Sequence, residues 1–495
     1  MFQLVNIILH EFRNCFKRIA AWKWFVVLVL GFMLRSKHMG VTSTISQLRL
    51  DPKVYHKMLH FFRSQAYEVV DLYEKWTELV LKDQSVLRIS ERIVMNGDHI
   101  KISKEGRRMP DIEILHQESE NSGKGEYIAG HTFAQIAGII TSNNTSRSIP
   151  LVTEPQKSPP KIPGTKKPDG DTLVIQMAKL ALNAAEYAYK ATGETSIGAF
   201  DAYFSKGTMF NTLKSKRTPD GRPLMSIVTR AQDSYVGFVP AVPPQKNNDN
   251  KRGPGRPKKE EAGKHIYGEK IKLKDLLKDT SKFTETTLVL YGKKAKVKYF
   301  CIDLLWKSTD DIVRFIVVDS DRGQCVLMSD DLTLEPEEII TIYSLRFKIE
   351  TGFDEQKNDI GCFEYHFWTK CLEKRKKRKA SAPPPLSDER SCLKVNEAKK
   401  AISSFVCLGT IATGILTIIA FKHDCEIWAR YPGWIRTLRV RIPSIAVTRE
   451  ALAQDFHALL HRFPHSSVSR VVTPLLRESV YLYMDFDADA LDEPA

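Results

Sequence analysis

Tyr343, Arg346, Glu350 and Lys357 stand at relative positions 0, 3, 7 and 14 in the chain. At about 100° per residue these offsets fall within about 60° of one another on a helix. One face then presents a carboxylate between two cations and a phenol. An arginine suits a bidentate phosphate contact and a lysine a point charge. A carboxylate holds a hard divalent cation through oxygen. Together these types point to the handling of phosphate with a bound metal. An exposed helix laced with ion pairs would also place Arg346 and Glu350 at i,i+4.

The element that must carry these residues is well marked. Pro336, with Glu335, Glu337 and Glu338 around it, opens a helix where a missing N–H costs little and negative charge is favoured. Gly361 is a natural stop. The pattern predicts one helix between them, with Gly352 as its weak point. Asp354 shares the Glu350 face and competes with it for a metal-binding role.

Upstream, residues 1–85 read as helical. Asp51-Pro52 caps a segment in which Tyr55, Met58, Leu59, Phe62, Ala66, Val69, Val70 and Tyr73 keep a helical period. Strand-like runs begin near Ile89. Arg92 to Ile102 carries Asp98, and Glu126 to Ile140 and Ser148 to Val152 follow. Pro155 to Pro168 reads as a loop. A helix capped by Asp171 and stopped at Gly193 comes next, then a short buried strand, Ser196 to Phe200, with Asp201 at its end. Pro223 to Thr229 is a further buried strand. Four more strand-like segments lie at Glu285–Tyr291, Ala295–Trp306, Asp311–Val318 and Gln324–Met328, with a turn at Asp321-Arg322-Gly323.

The spacing around Glu350 resembles the Tyr-Arg-Glu-Lys signature of bacterial insertion-sequence transposases of the insertion-sequence-four family. Their active site is an Asp-Asp-Glu triad, and the signature glutamate is its third member. The element order also resembles the ribonuclease H-like core of retroviral integrases and transposases. The resemblance makes Asp98, Asp201 and Glu350 the catalytic, metal-binding triad. It makes Tyr343, Arg346 and Lys357 contacts to phosphate. Family members often carry tryptophan after the signature arginine, to stack on a flipped base. Here Phe347 stands there, able to stack but not to donate a hydrogen bond, with Trp306 as another candidate. Asp111, Asp303 and Asp319 rank lower as metal ligands.

The resemblance implies an α/β fold and a metal-dependent DNA transposase. Its core would be ribonuclease H-like, with a β-rich insertion, an N-terminal helical domain and a C-terminal helical region. Two Mg²⁺ ions would serve each site, with Mn²⁺ able to substitute. The partners would be double-stranded DNA, as transposon ends and target, and a second copy of the chain in a synaptic dimer. The implied layout is a DNA-binding domain at 1–85 and the first part of the core at 86–239. A basic loop and the insertion occupy 240–332, the glutamate helix 333–375, a basic linker 376–395 and the C-terminal region 396–495. The rivals are a non-catalytic DNA-binding descendant and a membrane-associated protein.

Composition fits the nucleic-acid reading. The net charge is +15 and the pI about 9.2, which suits nucleic acid or an anionic membrane surface. Lys251 to Lys259 contains Gly255-Arg256-Pro257, which resembles an AT-hook and would lay Arg256 in a narrow minor groove. Lys374 to Lys379 and Arg436 to Arg441 are further basic segments, and an acidic tail begins at Asp485. The eight cysteines are scattered with no Cys-x-x-Cys pair, which predicts free thiols in a reducing cytoplasm and no zinc site. Phe25 to Leu34 is too short to span a bilayer. Ala401 to Phe421 is long enough, but its Ser, Thr and Gly residues favour a buried core helix and no membrane partner.

Overall fold

A computed structural model of the chain describes residues 1–36, 40–117, 125–142, 145–160, 168–241, 265–377, 379–381, 388–435 and 442–477. Arg256 and its hook-like segment lie outside them, as do Arg436 to Arg441 and the acidic tail. The fold is mixed α/β. Five helices come first: α1 (Phe2–Glu11), α2 (Ile19–Leu34), α3 (Gly40–Gln47), α4 (Tyr55–Phe61) and α5 (Val69–Leu81). The single helix expected after Asp51-Pro52 is thus two. Asp51 caps a short 3₁₀ turn, accepting from the Lys53 amide at 2.9 Å, and α4 ends before Phe62.

The strands β1 (Arg88–Ile89), β2 (Arg92–Ser103), β3 (Glu113–His116), β4 (Tyr127–Ser142) and β5 (Thr145–Gln156) follow. Helix α6 (Leu173–Thr192) leads to β6 (Ser196–Phe200), and α7 (Gly207–Leu213) leads to β7 (Met225–Arg230). Thr172, not Asp171, caps α6, its hydroxyl accepting from the Ile175 amide. Asp171 pairs with Lys179 instead. Gly193 ends α6 at φ 76°, in the left-handed region. Strands β2, β4 and β5 are antiparallel neighbours. β6 runs parallel to β2, and β7 parallel to β6.

Two unexpected strands come next, β8 (Val236–Pro240) and β9 (Tyr267–Lys272), and the four strands expected between Glu285 and Met328 follow them as β10 (Thr284–Leu290), β11 (Lys293–Trp306), β12 (Asp311–Ser320) and β13 (Gly323–Ser329). These strands continue the central sheet. β13 pairs with β7, Met328 opposite Thr229, so the described strands join in one 13-stranded sheet. Trp306 is a core residue, buried against Phe210 and Tyr235, and is not available to stack on a base.

Alternation along β2 sorts its side chains onto two faces. Ile93 and Met95 join the large core, while Val94 packs with Ile197, Ala199 and Val228 beneath a helix α8 (Pro336–Leu345). Asn96 and Asp98 share the Val94 parity, and Asp201 shares that of Ile197 and Ala199. Both aspartates therefore belong to the face that carries α8.

After α8 come α9 (Lys348–Asp354) and a π-helical turn, Glu355–Ile360. A 34-residue α10 (Glu389–Lys422) then packs along β5 and α2, followed by α11 (Asp424–Arg430), α12 (Ile445–Gln454), α13 (Phe456–Arg462) and α14 (Ser467–Val472). By length and composition α10 could cross a membrane, but 94% of its most apolar window is buried inside the protein. Thr410, Thr413 and Thr417 return their hydroxyls to carbonyls one turn back, so these three hydroxyls are satisfied in the core. Helix α2 is likewise buried.

Candidate active site

The helix expected as one piece from Pro336 to Gly361 is three. It starts as expected, with Pro336 in the first turn and Glu335 and Glu338 forming a reciprocal capping box. It breaks at Arg346-Phe347, where the Ile349 and Glu350 amides reach back three residues to the carbonyls of Arg346 and Phe347. No proline or glycine causes the break. The side-chain amide of Asn96, buried on β2, donates to the carbonyls of Leu345 (3.3 Å) and Arg346 (3.5 Å) and draws them out of the helical ladder. Ser148 on β5 donates to the Asn96 carbonyl oxygen at 3.3 Å and sets its orientation.

Arg346 and Phe347 stay in the right-handed helical region through this tightened turn, so Arg346 and Glu350 remain one turn apart, facing the ends of the two parallel strands. Gly97 pairs with Phe200 in the β2–β6 register, so Asp98 and Asp201 leave adjacent strands at one level. Arg346 reaches Asp98 Oδ2 at 3.4 Å and Glu350 Oε1 at 2.8 Å, bridging two of the three acids. Asp201 occupies the cap position of a 3₁₀ turn, yet its side chain makes no cap hydrogen bond. It does not spend its carboxylate as an N-cap.

Burial pushes the Asp98 carboxyl up to about 6. Asp201 and Glu350 push the same way, while the His99 amide, donating at 2.8 Å, and Arg346 oppose them. Burial would lower Arg346, but Asp98, Asp201, Tyr343 and Glu350 outweigh it and hold the guanidinium above its usual range. Tyr343 is pushed up to about 12 by burial, with Arg346 opposing and Asp201 adding. Its ring packs against the α8 side of the sheet, so its phenol stays protonated. The three acids, Arg346 and Tyr343 thus form one electrostatic unit.

Lys357 is not on that unit. The π-helical turn changes the winding before it, and it stands exposed at the rim of an adjoining cleft of about 620 Å³ with His99 and Lys101. Phe347 is 48% exposed at the break, free to stack. Asp354 accepts from Asn358 on the outer side and does not compete with Glu350. Asp111 pairs with Lys157 and Lys399, and Asp303 with Arg314. Asp319 lies on β12 opposite Gln324. Gly97 serves packing: a Cβ there would come within 2.3 Å of the Phe200 ring.

Two site residues escape a reading of the sequence. Asn96 sets the helix break, although Asn96-Gly97 reads as a turn signal. His99 hydrogen-bonds Gln156 at 2.7 Å and is held down to about 4 by burial, so it is neutral. The donor set is all oxygen, which suits a hard cation. Among the described residues no three His, Cys, Asp or Glu side chains are gathered as they stand to hold a metal ion. The Arg346 guanidinium occupies the place between Asp98 and Glu350 and neutralises them as a bound cation would. Comparison with known proteins finds no family model that matches the chain and no curated protein similar to it in sequence.

Proposed function

We propose that the protein is a metal-dependent DNA transposase, similar to the insertion-sequence-four family, that cuts at the ends of its element and joins the 3′-hydroxyls to target DNA. The observation that carries this reading is Arg346 holding Asp98 and Glu350 together, with Asp201 leaving the neighbouring strand at the level of Asp98. The three acids are separated by 201 − 98 = 103 and 350 − 201 = 149 residues, and they come from two parallel strands and a broken helix. The order β5-β4-β2-β6-β7 supports it, with three antiparallel strands followed by two parallel ones. That is the order of a ribonuclease H-like core, in which paired carboxylates on the first and fourth strands face a third on a helix.

In this reading Asp98, Asp201 and Glu350 hold Mg²⁺. The metal supplies polarisation of the attacking and leaving oxygens of an in-line phosphodiester displacement. Arg346 moves from the acids to a phosphate oxygen next to the scissile bond, where a guanidinium makes two parallel hydrogen bonds. Asn96 holds the tightened turn that carries Arg346 and Glu350. Lys357 and Lys101 take the phosphates beyond, and Phe347 stacks on a base. The +15 charge draws DNA in. A dimer pairs the two transposon ends.

The test is Mg²⁺-dependent cleavage of a labelled duplex carrying the DNA that flanks the gene, comparing the wild-type chain with Glu350→Gln. A specific cut lost by at least about a thousandfold in the variant, with DNA affinity unchanged, is the expected result. Tight binding with no cut by either protein would support the non-catalytic descendant, in which Arg346 permanently balances the acids. A chain that neither binds nor cuts this DNA would overturn the reading.

A further inference from the structure

The cleft beside the triad does not end at Lys357. It meets a second depression, of about 530 Å³, at Glu364 and His366, which line both. The chain from Phe363 to Trp368 makes the junction by alternating. Phe363, Tyr365 and Phe367 are buried on Phe133 and Phe405. Glu364, His366 and Trp368 turn outward into the groove. Trp368 is 50% exposed, a large aromatic face presented to solvent by a backbone fixed on both sides. Thr369 donates its amide to the Arg108 carbonyl at 3.1 Å just beyond.

The far wall is Tyr55 of α4 with Arg63 just past it, and Lys370 follows Trp368. Among the described residues neither Arg63 nor Lys370 has an ion-pair partner. A half-exposed indole that shares one depression with two such cations, in a space of nucleoside size, suits an unpaired base and its flanking phosphates.

We propose that this groove is a single-strand subsite. A strand whose phosphodiester lies at the Asp98 acids runs past Lys101 and Lys357, and an unpaired base stacks on Trp368 in the depression that Arg63 and Lys370 also line. The proposal rests on the nucleic-acid reading above and adds to it a place for DNA that has left the duplex. That place joins the N-terminal helices to the site.

Binding without metal tests it. Two labelled probes of equal length are titrated, one a blunt duplex and the other a duplex with a single-stranded tail, against the full chain, Trp368→Phe and Trp368→Ala. The wild-type chain is expected to prefer the tailed probe, and Trp368→Ala to lose about tenfold for that probe alone. Trp368→Phe retains a stacking ring and most of the preference. Quenching of intrinsic fluorescence by the tail should be present in the wild-type chain and absent in Trp368→Phe. Equal binding of both probes, or a Trp368→Ala loss shared by both, overturns the subsite and leaves the DNA reading standing. Failure of the full chain to bind either probe removes both.

Discussion

Two arginines hold the ends of the segment that carries Glu350, and they do so in opposite ways. At its far end Arg35, only 1% exposed, donates to the Ile360 carbonyl at 2.8 and 3.1 Å, to Gly361 at 2.9 Å and to Gly40 at 3.1 Å, with the Phe32 ring 4.1 Å beneath it. At the near end Arg346 holds two carboxylates, one of them at 3.4 Å. Arg35 is spent on neutral carbonyls that no other cation in solution can reach, and burial lowers it to about 10. Arg346 is paired with charges that would accept another cation in its place. The comparison teaches that one end is a fixed anchor and the other an exchangeable contact, separated by about three turns of helix.

Buried polar groups continue the anchor toward the site. Gln356 in the π-helical turn donates to Gln135 Oε1 at 2.8 Å, which also accepts from Thr153 at 2.9 Å. Gln135 is the residue opposite Asp98 in the β2–β4 register. The Arg449 guanidinium binds the Asp359 carbonyl from the C-terminal region. Glu350 is thus positioned from behind by groups that have no part in charge chemistry.

The largest effect expected is therefore at the anchor. Arg35→Ala leaves several carbonyls buried without donors and should cost about 3–5 kcal/mol in denaturant unfolding. Arg346→Ala should cost about 1–2 kcal/mol, less than Arg35→Ala, because water replaces the contact at exposed Glu350 and Asp98 can take up a proton in place of its lost cation. Similar losses for the two variants would erase the distinction between anchor and exchangeable contact.

Asp98 gives the next effect, of opposite sign. Its carboxyl is raised from 3.8 to about 6 in the folded chain. The stability this group contributes is full below about pH 4 and is lost as pH rises through 6. Asp98→Asn removes that loss, so without metal the variant should be more stable at pH 8 by up to about 3 kcal/mol. The gain should vanish at pH 4. An equal gain at both pH values would assign the effect to packing, and no gain at pH 8 would mean that Arg346 satisfies the carboxylate fully.

How far the sequence could be read follows from the range of each interaction. Strands β10 to β13 are visible because alternation and the turn at Gly323 are local signals. So are the start of α8, written by Pro336 and its flanking acids, and the stop at Gly361. The parity that puts Asp98 and Asp201 on one face is also legible once both strands are found. The break at Arg346 is not, because Asn96 makes it from some 250 residues away and carries the signature of a turn. For the same reason Arg35 reads only as the end of an apolar run. The pairing of β13 with β7 is also hidden, since no local pattern says which strand edge an insertion will meet. Trp368 gave no signal, because half-exposure depends on which neighbours the fold buries.

The smallest effect is the sharpest test of the exchangeable end. Arg346 occupies the space between Asp98 and Glu350, so a divalent cation entering there must displace it against two ion pairs. Arg346→Gln removes both the obstacle and one positive charge while keeping a hydrogen-bonding side chain. Mn²⁺ titrated calorimetrically into the metal-free proteins should bind the variant about tenfold more tightly, a change of about 1.4 kcal/mol. Arg35→Lys, far from the acids, should leave Mn²⁺ affinity unchanged in whatever fraction of the chain stays folded. An Arg346→Gln variant that binds Mn²⁺ no better than the wild-type chain would mean that the guanidinium does not stand in the cation's place. The two arginines would then differ only in burial.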